Sequence, residues 1–194
     1  MASGNVASGL PNLGKTYHGG TPSSIGRSVT LEGTECLFQD GVDQPARPDS
    51  KRSGRTRLAR LVRNTSGGVL LPKRVVKWET GYRGTRVDGY TATTAAEAAG
   101  VTDDQLPAVG VANNDLFWIF RKGPSIVKTG ITSEVIADGD LLVAKTGAGT
   151  ASGRPLVGNA ATSSHILNRL GKAMSAATAG NTDTDLLVDL DIIN

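Results

Sequence analysis

Between Arg63 and Ile193 no run of apolar side chains is longer than five residues, and glycine punctuates the stretch from end to end. Long amphipathic helices cannot be written in such a pattern, whereas short strands joined by tight turns can. The composition agrees, with 25 glycines in 194 residues and only 4% aromatic side chains. Many turns and small β-faces suit those values better than a thick helical core. The length allows one domain with a real core, and the modest 38% hydrophobic content predicts that part of the chain is extended or orders against a partner.

The segments can be placed along the chain. Ser28–Phe38 offers one possible strand, through Val29, Leu31 and Cys36-Leu37-Phe38, interrupted by Gly33. Arg57–Arg63 reads as a strand, with Leu58 and Arg60 facing opposite to Ala59 and Leu61. It ends at the turn Asn64-Thr65-Ser66-Gly67-Gly68, and with Val69–Leu71 and Val75–Trp78 it suggests a hairpin. Thr94-Ala95-Ala96-Glu97 has the form of a capping box, with Gly100 placed to stop a helix of little more than one turn. Ala108–Val111, Asp115–Arg121, Ile126–Lys128, Val135-Ile136 and Leu141–Ala144 read as strands. His165–Met174 fits a helical stripe by spacing, but Gly171 costs a helix about 1 kcal/mol against alanine; a strand is expected. Leu186–Ile193 alternates as a strand with one wet face. Leu116-Phe117-Trp118-Ile119-Phe120 places apolar residues on both faces of one strand, as in a core covered on both sides or at an interface.

The expected fold is therefore all-β: a small sandwich or barrel of short strands with at most two minor helices, preceded by an extended N-terminal arm. Residues 1–28 are rich in Gly, Ser, Asn, Pro and Thr without sustained period, so the arm should order only against something beneath it. The division expected is residues 1–56 as arm and basic linker and 57–194 as compact β-domain.

The net charge of +3 is unevenly distributed. Residues 1–63 hold 9 Lys and Arg against 5 Asp and Glu, and the surplus concentrates between Arg47 and Arg63. Such a run is a solvated linker, a clamp on an acidic protein surface, or a nucleic-acid contact. The first aromatic after Phe38 is Trp78, so nucleic acid is disfavoured: single-strand binders interleave rings with charges.

Gly9-Leu10-Pro11-Asn12-Leu13-Gly14-Lys15-Thr16 matches the letters of a phosphate loop. That loop needs a buried strand before it and a helix after it, and Tyr17-His18-Gly19-Gly20-Thr21-Pro22 cannot continue a helix. His18 and His165 have no His or Cys at metal-ligand spacing. Asp138-Gly139-Asp140 and Asp183-Thr184-Asp185 lack the glutamate of a calcium loop and read as solvated turn aspartates. Cys36 is the single cysteine and reads as a small, partly buried apolar residue that fits a reducing cytoplasm during synthesis. No apolar core follows Met1-Ala2-Ser3-Gly4-Asn5, so no signal peptide is expected, and the longest apolar run is too short to span a bilayer. No catalytic residue, cofactor or metal site is expected.

Four phrases recur in a recognisable order: Asn64-Thr65-Ser66-Gly67, then Gly110-Val111-Ala112, then Gly139-Asp140-Leu141, then Gly171-Lys172-Ala173 followed by Ala177-Thr178-Ala179-Gly180. In that order they resemble the head-decoration, or cement, proteins of tailed bacteriophages, over about two thirds of the chain. The resemblance implies a virion structural protein without catalytic activity. It would be made in the host cytoplasm and bound to the outer capsid surface, with the major capsid protein as partner and a homo-oligomer as the attaching unit. On that expectation the capsid contacts fall to the basic residues Arg47, Lys51, Arg52, Arg55 and Arg57 and to the arm's apolar residues Leu10, Leu13, Tyr17 and Ile25. Several arms in one oligomer would act by multivalency.

Overall fold

In the computed structural model the described residues are Gly14, Thr16, 32–39, 55–89, 97–130, 135–145, 150–153, 169–178, 180 and 182–192. Ten strands form, and no helix occurs among these residues. In chain order they are β1 (Glu35–Gln39), β2 (Thr56–Asn64), β3 (Val75–Trp78), β4 (Arg86–Gly89), β5 (Ala98–Thr102), β6 (Leu116–Gly130), β7 (Leu141–Lys145), β8 (Thr150–Gly153), β9 (Arg169–Ala173) and β10 (Thr182–Asp191).

The strands are neighbours in the order β1-β2-β4-β3-β5-β6-β10-β9-β7-β8, with further pairings β2–β6 and β6–β8. These two extra pairings close two circuits that share β6. The first half of β6 pairs antiparallel with β2, Arg63 opposite Leu116 and Leu61 opposite Trp118, and completes the circuit β2-β4-β3-β5-β6. The second half pairs antiparallel with β10, Leu186 opposite Val127 and Asp191 opposite Lys122, and completes β6-β10-β9-β7-β8. The all-β expectation holds, and a 15-residue strand is the spine of the fold.

Alternation explains why one strand can serve both circuits. Phe117 and Ile119 join Val62, Val76, Val87 and Ala99 in one apolar cluster, to which every strand of the first circuit contributes. Leu116, Trp118 and Phe120 point the other way, into a larger cluster with Leu142, Leu170, Leu186 and Val188 from the second circuit. All five side chains of Leu116–Phe120 are buried, so both faces of the strand are core. Phe38 packs edge-on to Trp118 with centroids 5.2 Å apart. Cys36 is half-buried against the same cluster, and burial pushes its thiol pKa up.

Two glycines permit close approach of strands. Gly123 interrupts the middle of β6 at φ +87°, and a Cβ there would lie 2.4 Å from the Thr56 carbonyl oxygen. It lets Ile126–Lys128, expected as a separate strand, continue β6. Gly171 has φ +149°, and a Cβ would lie 2.0 Å from the Asp189 carbonyl oxygen on β10. That contact accounts for a glycine within β9, where a strand was expected.

Several expectations are corrected. Residues 35–39 form β1, paired antiparallel with β2 from Glu35 opposite Arg60 to Gln39 opposite Thr56. The compact unit thus includes β1, and the boundary expected at residue 56 falls inside a strand pair. Residues 40–54, which hold most of the basic stretch, lie outside the described residues. The hairpin of β2 with the following segments does not form: β2 instead makes a short parallel pair with β4, Arg63 opposite Arg86 and Asn64 opposite Val87. Gly100 lies within β5 and stops no helix, because burial of all five β5 residues selects a strand; residues 91–96 lie outside the described residues. Ala108–Val111 is a turn region with one bridge, Val111 to Leu70.

Candidate functional site

The four phrases of the family resemblance meet in two pairs, one in each circuit. In the first, the buried Asn64 side chain is the hub. Its Nδ2 donates to the carbonyl oxygens of Gly68 (2.8 Å), Val111 (2.9 Å) and Ala112 (3.1 Å). Its Oδ1 accepts from the Ser66 amide at 3.0 Å and the Ser66 hydroxyl at 2.7 Å. The Asn-x-Ser turn is thereby fastened to the Gly-Val-Ala segment. In the second pair the Gly139 amide donates to the Ala173 carbonyl at 2.9 Å, and the Ala173 amide donates to the Asp140 carbonyl at 2.8 Å. Ile136 and Ala177 exchange backbone hydrogen bonds beside them, both at 2.9 Å. The phrases are thus joints of the fold. They satisfy backbone groups that turns would otherwise leave unpaired.

The expected contact residues divide sharply. Arg47, Lys51, Arg52, Leu10, Leu13, Tyr17 and Ile25 lie outside the described residues. Arg55 is at the surface, its side chain 48% exposed, and pairs with Asp189 at 2.9 Å. Arg57 was expected on an exposed linker and is instead 1% exposed. Its guanidinium lies 3.2 Å from Asp104 Oδ1 and 3.3 Å from Ser125 Oγ, and 3.4 Å over the Phe120 ring. Arg57 shares the inward face of β2 with Ala59 and Leu61. Burial excludes it from a direct surface contact.

Arg55 opens onto an open depression of about 520 Å³ whose charged lining is Arg55, Lys122, Arg169, Lys172, Asp189 and Asp191. Strand register places these charges on one face. On β10, Asp189 stands opposite Lys172 of β9 and Asp191 opposite Lys122 of β6. Arg55 and Arg169 hold the two aspartates, at 2.9 and 3.2 Å. Lys122 and Lys172 are exposed, and no ion pair to a described carboxylate forms at either. Four cations therefore face two carboxylates. Thr56, paired with Gln39 of β1, also lines the depression.

Other charged groups are more nearly balanced. Asp183 and Asp185, read as solvated, are engaged by Arg74 at 2.6 Å and by Lys73 and Lys128 at 2.5 and 2.8 Å. The lysines hold the Asp185 carboxyl below its ordinary pKa against the opposing effect of burial. Trp78 acquires the neighbours that sequence spacing did not show: Arg60 and Arg121 lie 5.7 and 5.9 Å from its ring. Glu35 pairs with both guanidiniums, at 2.5 and 3.7 Å, and offsets one of their two charges from β1.

Within the phosphate-loop match, the Gly14 amide donates to Asp103 Oδ2 at 2.5 Å. An amide that would face phosphate in a nucleotide site thus faces a carboxylate. Burial, followed by the charge of Asp104, raises the Asp103 pKa to about 6. No group of three or more potential metal-ligating side chains occurs among the described residues. His18 and His165 lie outside them.

No protein-family model matches the chain, and no curated protein matches it in sequence. Among solved structures, the N base of the head fiber gp8.5 of bacteriophage phi29 is similar over 71% of this chain and 98% of that one, at 15% identity and a TM-score of 0.39. A likeness that slight carries no weight for either fold or role.

Proposed function

We propose that the protein is a structural component of a tailed-phage virion that attaches to the outside of the assembled head and cements it, without catalytic activity. The observation that carries this reading is the pairing of the four family-like phrases. Asn64 ties the first to the second, and the backbone bonds of Gly139, Asp140 and Ala173 tie the third to the fourth. The phrases that carry the resemblance are therefore structural joints of this fold, one pair in each circuit. The major capsid protein is the proposed partner and a homo-oligomer the attaching unit. Modest contacts summed over several subunits would give firm attachment.

Nucleic-acid binding is the competing reading. The Trp78 surface is what would favour it, and Glu35 offsets one of the two arginine charges there. Cementing is tested by heating heads that lack the protein, with and without the purified full chain, and measuring the temperature of genome release. The reading expects release at a higher temperature with the protein present. An unchanged temperature at saturating protein would rule cementing out.

A further inference from the structure

We infer that the depression between Arg55 and Lys172 is a docking site for an extended acidic polypeptide segment. The inference draws on the reading above only for the source of that segment, an acidic stretch of a capsid subunit.

The argument begins with register. Lys122 and Lys172 flank β10 from opposite sides, each directly opposite an aspartate. Two inter-strand spacings separate their strands, about 10 Å. Asp189 and Asp191 are two residues apart, so the lysines are also offset by about 7 Å along the strand direction. Their backbone positions are therefore about 12 Å apart, the span of three to four residues of extended chain. Acidic side chains at that spacing would meet both ammonium groups at once.

The arginines complete the site. Asp189 and Asp191 restrain Arg55 and Arg169, at 2.9 and 3.2 Å, so these long side chains are partly ordered before a partner arrives. Gly123 and Gly171 also line the depression, and neither places a side chain between the lysines. Among the described lining residues an excess of two positive charges sets the sign of the partner. The two aspartates decide its class. They interrupt the cations every second residue along β10, which would repel a continuous phosphate backbone but leaves room for carboxylates spaced several residues apart. Among the described residues, no aromatic ring lines the depression on which a base could stack.

The test uses the full chain, the double variant Lys122→Gln/Lys172→Gln, and Lys77→Gln as a control whose lysine is paired with Asp88 elsewhere. Thermal unfolding checks that each variant is folded. Binding is measured by fluorescence anisotropy to labelled poly-L-glutamate and to labelled oligodeoxythymidylate at low salt. The unmodified chain and K77Q should bind polyglutamate equally, and the folded double variant should bind about tenfold more weakly. The inference is overturned if polyglutamate does not bind, or binds the double variant as well as the unmodified chain. Tighter, lysine-dependent binding of the oligonucleotide would reassign the site to nucleic acid and also overturn it. Phage heads separate this inference from the proposed function. Unaltered attachment of the double variant to heads sinks the docking site and spares the function. Lysine-dependent polyglutamate binding by a protein that ignores heads does the reverse.

Discussion

Arg57 and Asp104 form an ion pair at 3.2 Å in which both side chains are almost wholly buried, at 1% and 2% exposure. Only two residues away along the chain, Arg55 makes its own pair at 2.9 Å with half of its side chain in solvent. The same residue type thus has opposite energetic consequences at the two positions.

Removing Arg57 leaves the Asp104 carboxylate buried without its guanidinium, a loss of about 3–5 kcal/mol. Arg55→Ala breaks an exposed pair worth under about 1 kcal/mol. Urea unfolding of the two variants should differ accordingly. Similar midpoints for R55A and R57A would show that the buried pair is not formed in solution.

Asn64 sets a second expectation. Asn64→Ala removes the donor to three carbonyl groups and the acceptor for Ser66, and should cost about 2–3 kcal/mol. Asn64→Asp keeps the shape but turns a carboxylate toward those same carbonyl oxygens. N64D should therefore be less stable than N64A at neutral pH. If N64D matches the unmodified protein, the Asn64 amide is not the hub of the first circuit.

Asp103 gives a pH dependence with a definite sign. Its folded-state pKa of about 6 lies above the ordinary 3.8, so between these values the native state holds more proton than the unfolded chain. Its contribution to stability therefore falls as pH rises through that window and is restored on acidification. The full swing is up to ~3 kcal/mol. Relative to Asp103→Asn, the unmodified protein should gain stability as pH is lowered from neutral toward 4. A stability difference that stays constant with pH would contradict the buried carboxyl.

Gly171→Ala places a methyl group against the Asp189 carbonyl at a φ of +149°. Strain and overpacking together should cost about 3 kcal/mol or more. A variant that unfolds at the same temperature as the unmodified protein would mean that β9 and β10 do not approach as described.

Much of the fold is legible in local pattern. The alternation in Leu116–Phe120 reveals a strand buried on both faces, and Leu186–Ile193 shows which residues of β10 face water, though Leu187 is buried where a wet position was expected. Arg57 was also legible. Period two puts it inward with Ala59 and Leu61, but the surrounding charges suggested an exposed run. What was hidden depends on partners distant in sequence. The turn at Asn64 does not close a hairpin, because its side chain is used by residues 111 and 112. β1 overlaps the end of Ser28–Phe38, which offers a strand in sequence, but its pairing with β2 was not legible. Each circuit contains one short parallel pair, β2 with β4 and β6 with β8, for which no local turn gives notice. The depression was hidden for the same reason: Arg55, Lys122, Arg169 and Lys172 converge only through strand register.

The most direct test of capsid attachment is co-sedimentation of the purified full chain with expanded heads that lack it, as a function of protein and salt concentration, beside naked DNA as a control. The account predicts saturable binding to heads, in a fixed ratio to capsid subunits, that weakens as salt rises, and no comparable binding to DNA. Failure to bind heads, together with DNA binding that falls steeply with salt, would contradict it.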